Sequence, residues 1–435
     1  RSVLALAKTL SPDDPDKDSS LLQQARERYE AGDFSGANDI LSEANIDGMI
    51  ARAEAKRQEA KTIDQKAAQA FLAKANALAG AKPDTDWLDE AVRFCERAVG
   101  TNDEIDTLFA AASFLQAYNQ SDKAVNLYER ILLLEEVPFL RALALNNLAL
   151  LINTYPGKAL IAREYYQEAL ILYRQFYEVA PEQYALGRAN TSNNLGILLS
   201  NNPDEYGMAR EYFETALDLH RHLARKMFTA DMSDVAGTLN NLANLLAKQS
   251  DQYVTAKEYY DEALKLYREL ALTTPTIYLS NVAGTLFNLA SLLAKQSDQY
   301  VTAKEYYDEA LKLYRELALA TPTIYLSNVA LTLTTVSRLL LRSPSDYAIA
   351  LQNFREALQI LRQLDSNTKG ISSFELVQTL LDLSCFYIMC VPNKEQSIVY
   401  VREAYERIHL RLAEPLAISL AEICLQIAVH WREKL

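Results

Sequence analysis

Apolar residues recur at spacings of three and four along most of the chain, on both sides of short polar loops. Two such stripes within residues 282–320 consist of Leu286, Leu289, Ala290 and Leu293, and of Ala303, Tyr307, Ala310, Leu311 and Tyr314. A helix of 3.6 residues per turn places each stripe on one face. Neither helix could bury its stripe alone, so the pattern predicts antiparallel helix pairs that stack on one another.

The two-helix pattern repeats with a period of 47 residues. Residues 235–281 and 282–328 are identical at 44 of 47 positions, which marks a recent duplication. The differences are Asn240/Phe287, Asn244/Ser291 and Thr273/Ala320. The same register extends through the Asn-Leu pairs that begin at Asn147, Asn194, Asn241 and Asn288. It continues faintly through Val336 and Leu383 at the position of the leucine. The sequence therefore predicts six units in one register.

Short signals indicate where the helices begin and how closely they pack. Thr274-Pro275 and Thr321-Pro322 are typical of an N-cap residue followed by proline at the first helical position. Small alanines at equivalent positions of paired helices, such as Ala243 and Ala263, would allow a close approach. The second member of each tyrosine pair is expected in the core, at Tyr166, Tyr260 and Tyr307.

Together these residues resemble the tetratricopeptide repeat (TPR) family. The matching small and aromatic residues are Ala243, Tyr253, Ala256, Tyr260 and Ala263, and Ala290, Tyr300, Ala303, Tyr307 and Ala310 one unit later. Within the family, the Leu-Asn-Asn-Leu-Ala run at 239–243 looks most like the repeats of kinesin light chains and similar bacterial proteins. The resemblance implies an all-α, right-handed superhelical solenoid of antiparallel helix pairs. Units of 47 residues are longer than the usual repeat of about 34 residues.

The two ends of the chain depart from this regular pattern. Tyr29 to Phe34 with Ala37 resembles the loop and second helix of a repeat, and 87–99 with 104–133 give shorter units. Residues 46–79 lack proline and contain one glycine, so they predict a single helix about 50 Å long, with a break near Thr62 as the alternative.

We therefore expect four regions along the chain. They are an N-terminal helical region with a partial repeat and a long helix (1–80), short repeat-like units (81–135), tandem 47-residue units (136–413) and an apolar capping helix (414–435) that covers the last unit.

Charge and hydropathy limit the kinds of partner. The net charge of −13 disfavours a nucleic-acid backbone or an anionic membrane, because either would be repelled. We find no apolar stretch approaching the roughly 20 residues of a membrane-spanning helix and no leader at the start. The four cysteines lack CxxC spacing and fit reduced core residues, so we expect a cytoplasmic protein. Because the chain opens at Arg1 rather than methionine, we also expect that a further domain precedes it.

The chain carries none of the common sequence motifs of catalysis. It has no glycine-rich phosphate loop, HExxH, GxSxG or paired-cysteine zinc spacing. His220 and His222 point about 200° apart on a helix, so they cannot share a metal. Cys385 or Cys390 could pair with His409 as a thiol and imidazole, but all four cysteines (Cys95, Cys385, Cys390 and Cys424) fit better as reduced core residues. We expect no enzyme activity, no cofactor and no metal.

A binding surface is the better prediction. In the family, the residue before the register asparagine lines the concave groove, and here it is Asn146, Asn193, Asn240, Phe287, Thr334 and Leu381 in successive units. With neighbouring positions on the same wall, the candidate partner-binding residues are Asn146, Asn190, Asn193, Asn240, Asn244, Lys248, Phe287, Ser291, Lys295, Arg338 and Arg342.

Two binding modes fit these residues. A ladder of asparagines could pair with the backbone of an extended peptide, since asparagine donates and accepts at once. Alternatively the asparagines only satisfy the groups between the helices. An acidic C-terminus or side chain could also dock on Lys248, Lys295 and Arg342, which predicts binding that weakens with salt.

Three functional classes remain from the sequence. The preferred hypothesis is a scaffold that binds a protein or peptide, as the docking or sensing arm of a larger signalling or defence protein. That this protein is bacterial is implied by the resemblance alone. The alternative is a peptide-sensing receptor whose superhelix closes on its ligand. An enzyme with a hidden site at one end of the array is the third and least favoured class.

Overall fold

The computed structural model describes residues 17–82, 85–134, 138–226, 232–366, 374–411 and 414–434. Within these ranges the chain is helical and contains no strand, as the periodicity predicts. It divides into two compact units, Arg1–Leu172 and Tyr173–Leu435, with the boundary inside one helix. Each unit consists of helices that pack as successive antiparallel pairs.

The first unit begins with a short helix pair and one long helix. Its helices are α1 (Lys17–Glu30), α2 (Phe34–Ile40), α3 (Glu43–Ala81), α4 (Trp87–Thr101), α5 (Ile105–Ala117), α6 (Ser121–Leu132), α7 (Pro138–Ile152) and α8 (Ala159–Val179), whose last turns belong to the second unit. Helix α3 packs on α4, and α5 packs on α6.

The long helix α3 is continuous over 39 residues, about 58 Å at 1.5 Å per residue. The prediction of a single helix is confirmed, and the break near Thr62 is not present. The Thr62 hydroxyl donates to the carbonyl of Gln58, which lies one turn earlier at 2.8 Å. The helix ends at Lys82, which adopts the left-handed conformation with φ 44°.

The second unit repeats a helix pair with little variation. Its helices are α9 (Pro181–Leu199), α10 (Tyr206–Lys226), α11 (Met232–Leu246), α12 (Tyr253–Thr273), α13 (Pro275–Leu293), α14 (Tyr300–Ala320), α15 (Pro322–Leu340), α16 (Tyr347–Ser366), α17 (Phe374–Met389), α18 (Lys394–Ile408) and α19 (Pro415–Trp431). The odd-numbered helices α9 to α17 are the first, or A, helices of their pairs, and the even-numbered helices α10 to α18 are the B helices.

Proline begins the A helices α13 and α15, as the sequence predicts. Pro275 and Pro322 lie in the first turn of α13 and α15. Proline is tolerated there because the amides of the first turn have no acceptor within the helix, so its missing N–H costs no hydrogen bond. The expected threonine caps differ in detail. Thr274 and Thr321 precede these helices in non-helical conformations, but their side chains do not accept a bond from the first turn.

Every residue of the two predicted stripes in 282–320 is buried. Tyr166, Tyr260 and Tyr307 are at most 2% exposed, so the prediction that they are core is confirmed. Glycine permits the closest helix contacts. A Cβ at Gly187 would lie 2.4 Å from the Tyr173 ring, and a larger residue there would force the helices apart.

Helix α13 corrects one expectation from the sequence. Pro275–Leu293 is 19 residues long and apolar enough to cross a membrane by length and composition, which the sequence analysis did not expect. In the fold it packs against both α12 and α14, and Leu286 and Leu289 are fully buried. Its apolar character therefore fits the interior helix of a stack, which contacts neighbours on two sides.

The apolar helix predicted at the C-terminus is α19. It packs on α18 and α17 and buries Leu420 and Cys424. The indole nitrogen of Trp431 donates to the Ser397 hydroxyl of α18 at 2.8 Å, which fixes the end of the helix.

Arginine and glutamate connect consecutive B helices at one repeated position. The pairs are Arg221–Glu262, Arg268–Glu309, Arg315–Glu356 and Arg362–Glu403, each separated by 41 residues. Because every pair joins one B helix to the next, the same contact recurs along the second unit.

Candidate functional site

The predicted asparagine ladder exists, but its members bind one another. Asn241 donates its side-chain amide to Oδ1 of Asn193 at 3.1 Å, and Asn288 donates to Oδ1 of Asn240 at 3.5 Å. Each bond joins one A helix to the next. Both acceptors are half-buried, so part of each carboxamide still faces solvent. The ladder therefore couples neighbouring units at the surface where a partner was predicted.

The two predicted lysines also contact the preceding A helix. Lys248 donates Nζ to the carbonyl of Ser200 at 2.7 Å, and Lys295 donates to the carbonyl of Ala247 at 2.6 Å. These carbonyls lie just past the ends of α9 and α11, where a cation favourably meets the negative end of the helix dipole. Lys248 also lies over the Tyr206 ring. Both side chains remain exposed.

The wall residues three positions after the register asparagines, Asn244 and Ser291, form hydrogen bonds to the core tyrosines. Tyr260 donates to Oδ1 of Asn244 at 2.5 Å, and the hydroxyls of Ser291 and Tyr307 lie 2.8 Å apart. The Phe287 ring packs edge-on against Tyr307 with centroids 5.5 Å apart. These predicted binding residues therefore also satisfy the buried tyrosine hydroxyls.

In the first unit, Asn146 is buried, with 9% of its surface exposed. It donates to Oδ1 of Asn147 at 3.1 Å, and Asn147 donates to the hydroxyl of Tyr128. Tyr128 in turn donates to Gln116 on α5. A side chain this buried has little surface to offer a partner.

Asn190 belongs to a buried polar group that the sequence did not reveal. Its Oδ1 lies 3.1 Å from Nε2 of His220, whose Nδ1 lies 3.0 Å from the Thr238 hydroxyl. Burial lowers the pKa of His220, and the nearby Asp234 opposes this shift. The only sequence signal was that His220 stands 47 residues from both Tyr173 and Tyr267, where neighbouring units carry a core tyrosine.

Near its C-terminal end, the A-helix wall of the second unit contains a cavity of about 230 Å³. It opens between α15, α17 and α19. Its lining residues include Leu331, Thr334, Arg338, Glu375, Gln378, Thr379 and Leu416. The sequence analysis placed Thr334 and Arg338 on this wall, but it missed the others because they come from helices further along the chain.

Arg338 at this cavity is an ion-pair partner of Asp382. The guanidinium and the carboxylate lie 2.7 Å apart, and Gln378 approaches the other carboxylate oxygen. Burial raises the pKa of Asp382, while Arg338 opposes the shift. Glu375 is exposed at the rim, and it forms no ion pair with any residue that the structure describes. The charged side chains around the cavity therefore sum to about −1.

Arg342 is the last predicted cation of the wall and is exposed. Its charge opposes the rise in the pKa of Tyr300, which burial and the hydrogen bond to Asp346 bring to about 12. Arg342 thus lies near the start of α14.

The cysteines offer little nucleophilic character. Cys95 and Cys424 are buried, and burial raises their pKa to about 11 and about 12. Burial also raises the pKa of the half-buried Cys385. His409 is exposed and stacks on Tyr405. In the described parts of the chain, no three metal-ligating side chains cluster, and no disulfide forms.

Comparison with known proteins identifies the repeat. Residues 235–271, which form α11 and most of α12, match the family model described as tetratricopeptide repeat. This segment of the chain is therefore a tetratricopeptide repeat. The next TPR unit, from Val282, follows from the near-identity of the two segments. The match spans 37 residues, so it does not test the predicted unit of 47.

Solved structures support a TPR fold for the array. The chain is similar to a signal-transduction ATPase with numerous domains from Pyrococcus horikoshii that carries a tetratricopeptide repeat sensor. The TM-score is 0.53 at 14% identity, over 85% of this chain and 50% of that one. At this identity the likeness shows the fold alone.

Two further structures are less similar. BtubC (BKLC) from P. vanneervenii aligns at TM-score 0.42 and 19% identity, over 57% of this chain and 92% of that one. A Rap protein complexed with competence and sporulation factor aligns at TM-score 0.46 and 14% identity, over 86% and 99%. At these scores neither bears on the function of this chain. A search of curated protein sequences gave no significant match.

Proposed function

We propose that the second unit is a scaffold that binds a protein segment or extended peptide along its A helices, with one side chain of the partner in the cavity between α15, α17 and α19. The observation that carries this proposal is the cavity itself, because it provides a recess on the side of the A helices where a side chain of a partner can enter. Leu331 and Leu416 line it and are 45% and 51% exposed, so apolar surface is available to a partner.

The charges around the cavity favour a particular partner. Arg338 is neutralised by Asp382, and Glu375 leaves an excess negative charge at the rim. The whole chain carries −13, which raises the local concentration of cationic segments. We therefore expect a partner segment that places an apolar or amide side chain in the cavity, with a lysine or arginine beside it.

We further propose that the chain binds without catalysing a reaction and acts in the cytoplasm. The raised pKa of the buried thiols supports the first part, since a thiolate is the nucleophilic form. The finer hypothesis is that the array is the docking or sensing arm of a larger signalling or defence protein. The similar P. horikoshii ATPase, of which this chain covers half, supports that arrangement. Reading the coding sequence upstream of Arg1 tests it.

Selection from a random peptide display library on the whole chain tests the binding site. The first variant is Leu331→Arg, which puts a long cation into the cavity. The matched control is Leu319→Arg, because Leu319 is 88% exposed at the end of α14 and does not line the cavity. We expect selected peptides to be basic or neutral, to lose tenfold or more in affinity with Leu331→Arg, and to keep their affinity with the control.

Circular dichroism melting of both variants establishes that they fold. If the selected peptides bind Leu331→Arg as well as the unmodified chain, the cavity is not part of the binding site. If they are predominantly acidic, the electrostatic part of the proposal is wrong, and docking on Lys248, Lys295 and Arg342 becomes the better model.

A further inference from the structure

The first unit contains a second and larger cavity, of about 540 Å³, between α4 and α6. Cys95, Val99 and Gly100 of α4 line one side, and Leu115 of α5 and Leu127 of α6 close the apolar floor. A volume of this size is within the usual range for small-molecule sites, which are mostly apolar with a few polar groups. Helices α4 and α6 are the second members of consecutive pairs, so this cavity is not on the A-helix side of its unit.

Small residues in α4 open the cavity. When Ala91 of α4 is aligned with Ala124 of α6, Cys95 takes the position that corresponds to Tyr128. Tyr128 is a fully buried aromatic residue of the next pair. Cysteine fills much less space than tyrosine. A Cβ built on Gly100 meets no atom within 4 Å, so the space beside this helix is empty. Cys95 therefore leaves room that a tyrosine ring occupies in the following pair.

Among the described residues, the polar rim contains one basic side chain with an ion-pair partner and one without. Lys123 pairs with Glu96 at 2.7 Å, and Asp122 accepts a hydrogen bond from Tyr155 at 2.5 Å. Arg130 also lines the cavity and is half-buried, and it makes no ion pair with any carboxylate in the described ranges.

We propose that this cavity binds a small monocarboxylate with an apolar body. The apolar part lies against Cys95, Leu115 and Leu127, and the carboxylate receives two parallel hydrogen bonds from the planar guanidinium of Arg130. The exposed carboxamide of Asn126, which also lines the cavity, donates to the carboxylate or to a neighbouring amide of the ligand. Such a chemical group occurs both in free apolar acids and at the C-terminus of a peptide.

Calorimetric titration of the whole chain tests this site with matched pairs of probes. Decanoate and decanol share an alkyl chain and differ in charge, and acetyl-Leu-Leu with a free carboxylate is compared with its C-terminal amide. We expect at least one of the acids to bind about tenfold or more tightly than its neutral partner, because a charge-assisted hydrogen bond is lost in the neutral compound. The acid that binds tighter identifies the source, a free acid or a peptide end.

Two variants separate the charge from the cavity. Arg130→Gln should remove the preference for the acid while it keeps weak binding of both members of a pair. Gly100→Leu should fill the cavity and abolish all binding, and its melting temperature should not fall, because leucine is a better helix former than glycine and has space. The matched control is Gly80→Leu on α3, where a Cβ also meets no atom within 4 Å and which does not line the cavity.

Any of the following results would overturn the proposal. They are no binding of any of the four probes at millimolar concentration, equal binding of acid and neutral compound by the unmodified chain, and undiminished binding by a folded Gly100→Leu variant. Binding lost in the Gly80→Leu control as strongly as in Gly100→Leu would also count against it, since the loss would then be unrelated to the cavity.

Discussion

Arg268 of α12 donates Nη2 to both carboxylate oxygens of Glu309 on α14, at 2.7 and 2.9 Å. The two side chains are 48% and 41% exposed, so water screens their attraction. Each residue has counterparts 47 positions earlier and later, and the same contact therefore recurs between consecutive B helices. Because such exposed pairs contribute little free energy, we interpret the repeated contact mainly as a constraint on the register between neighbouring units.

The exposed pair predicts a weak coupling energy. A double-mutant cycle of Arg268→Ala and Glu309→Ala should give about 0.2–1 kcal/mol, and the value should fall in high salt. Urea unfolding at two salt concentrations measures it. A coupling above about 2 kcal/mol that salt does not change would show that the pair is effectively desolvated.

A more buried pair in the same unit should behave differently. Arg407 and Asp365 are 25% and 12% exposed and lie 2.6 Å apart, with Glu403 as a further partner of Arg407. Arg407→Met should destabilise the chain by about 2–3 kcal/mol, because Asp365 loses a partner while it stays buried. Arg268→Met is the matched control and should cost well under half as much in the same unfolding measurement.

The hydrogen bond of Asn193 predicts a cost in stability. Asn193→Ala leaves the amide of Asn241 without its acceptor, so we expect a loss of about 1 kcal/mol in thermal or urea unfolding. Asn201→Ala, at an exposed position just past α9, should change stability by less than about 0.5 kcal/mol. If Asn193→Ala is neutral, the bond between successive A helices contributes nothing measurable.

The hydrogen bond between Tyr260 and Asn244 predicts that a second substitution can restore the stability lost by the first. Asn244→Ile alone should destabilise by about 1–3 kcal/mol, because the buried Tyr260 hydroxyl loses its acceptor. Adding Tyr260→Phe should recover most of the loss, since the preceding unit carries Ile197 and Phe213 at the equivalent positions. A double variant no more stable than Asn244→Ile would show that the hydroxyl is not the cause.

The close contact at Gly187 predicts that a single added methyl group lowers the stability of the fold. Gly187→Ala should destabilise by about 1–3 kcal/mol although alanine favours helices, because its Cβ would overlap the Tyr173 ring. Gly207→Ala on α10 is the control, and it should stabilise by about 0.5–1 kcal/mol since nothing lies within 4 Å of its Cβ. Equal effects at the two glycines in thermal melting would contradict the close helix contact.

His220 predicts a pH dependence of stability. Burial lowers its pKa in the folded state, so folding favours the neutral ring. Its contribution is therefore fully present above the unfolded pKa of about 6.5 and is lost as the pH falls through the lower folded pKa. We expect the free energy of unfolding to decrease below about pH 6.5, and less so in His220→Gln. His222→Gln, at an exposed position, should keep the full pH dependence.

Much of the fold could be predicted from local pattern. The spacing of Leu286 and Tyr307 with their neighbours determined which faces are buried, because a helix repeats every 3.6 residues wherever it lies. Pro275 marked a helix start for an equally local reason, its fixed φ and missing amide. The long helix α3 followed from its composition.

The candidate site could be predicted only in part. The sequence placed Asn193, Asn240 and Lys248 on one wall. It could not show that the two asparagines bind the following A helix while Lys248 binds the end of the preceding one, because these contacts depend on the rotation between consecutive pairs. The same holds for the polar contacts of His220, whose partners lie 30 and 18 residues away.

The amino-acid sequence by itself determined that this chain forms stacked helix pairs and which residues are buried, since these properties depend on neighbours within a few turns. The tertiary structure decided where space remains. The cavity beside Arg338 requires residues of the four helices α15, α16, α17 and α19. The one beside Arg130 requires three helices from two neighbouring pairs, with small residues on α4. A cavity forms where the surfaces of packed helices do not touch. Its position therefore depends on several helices at once, and the periodicity of a single helix does not predict it.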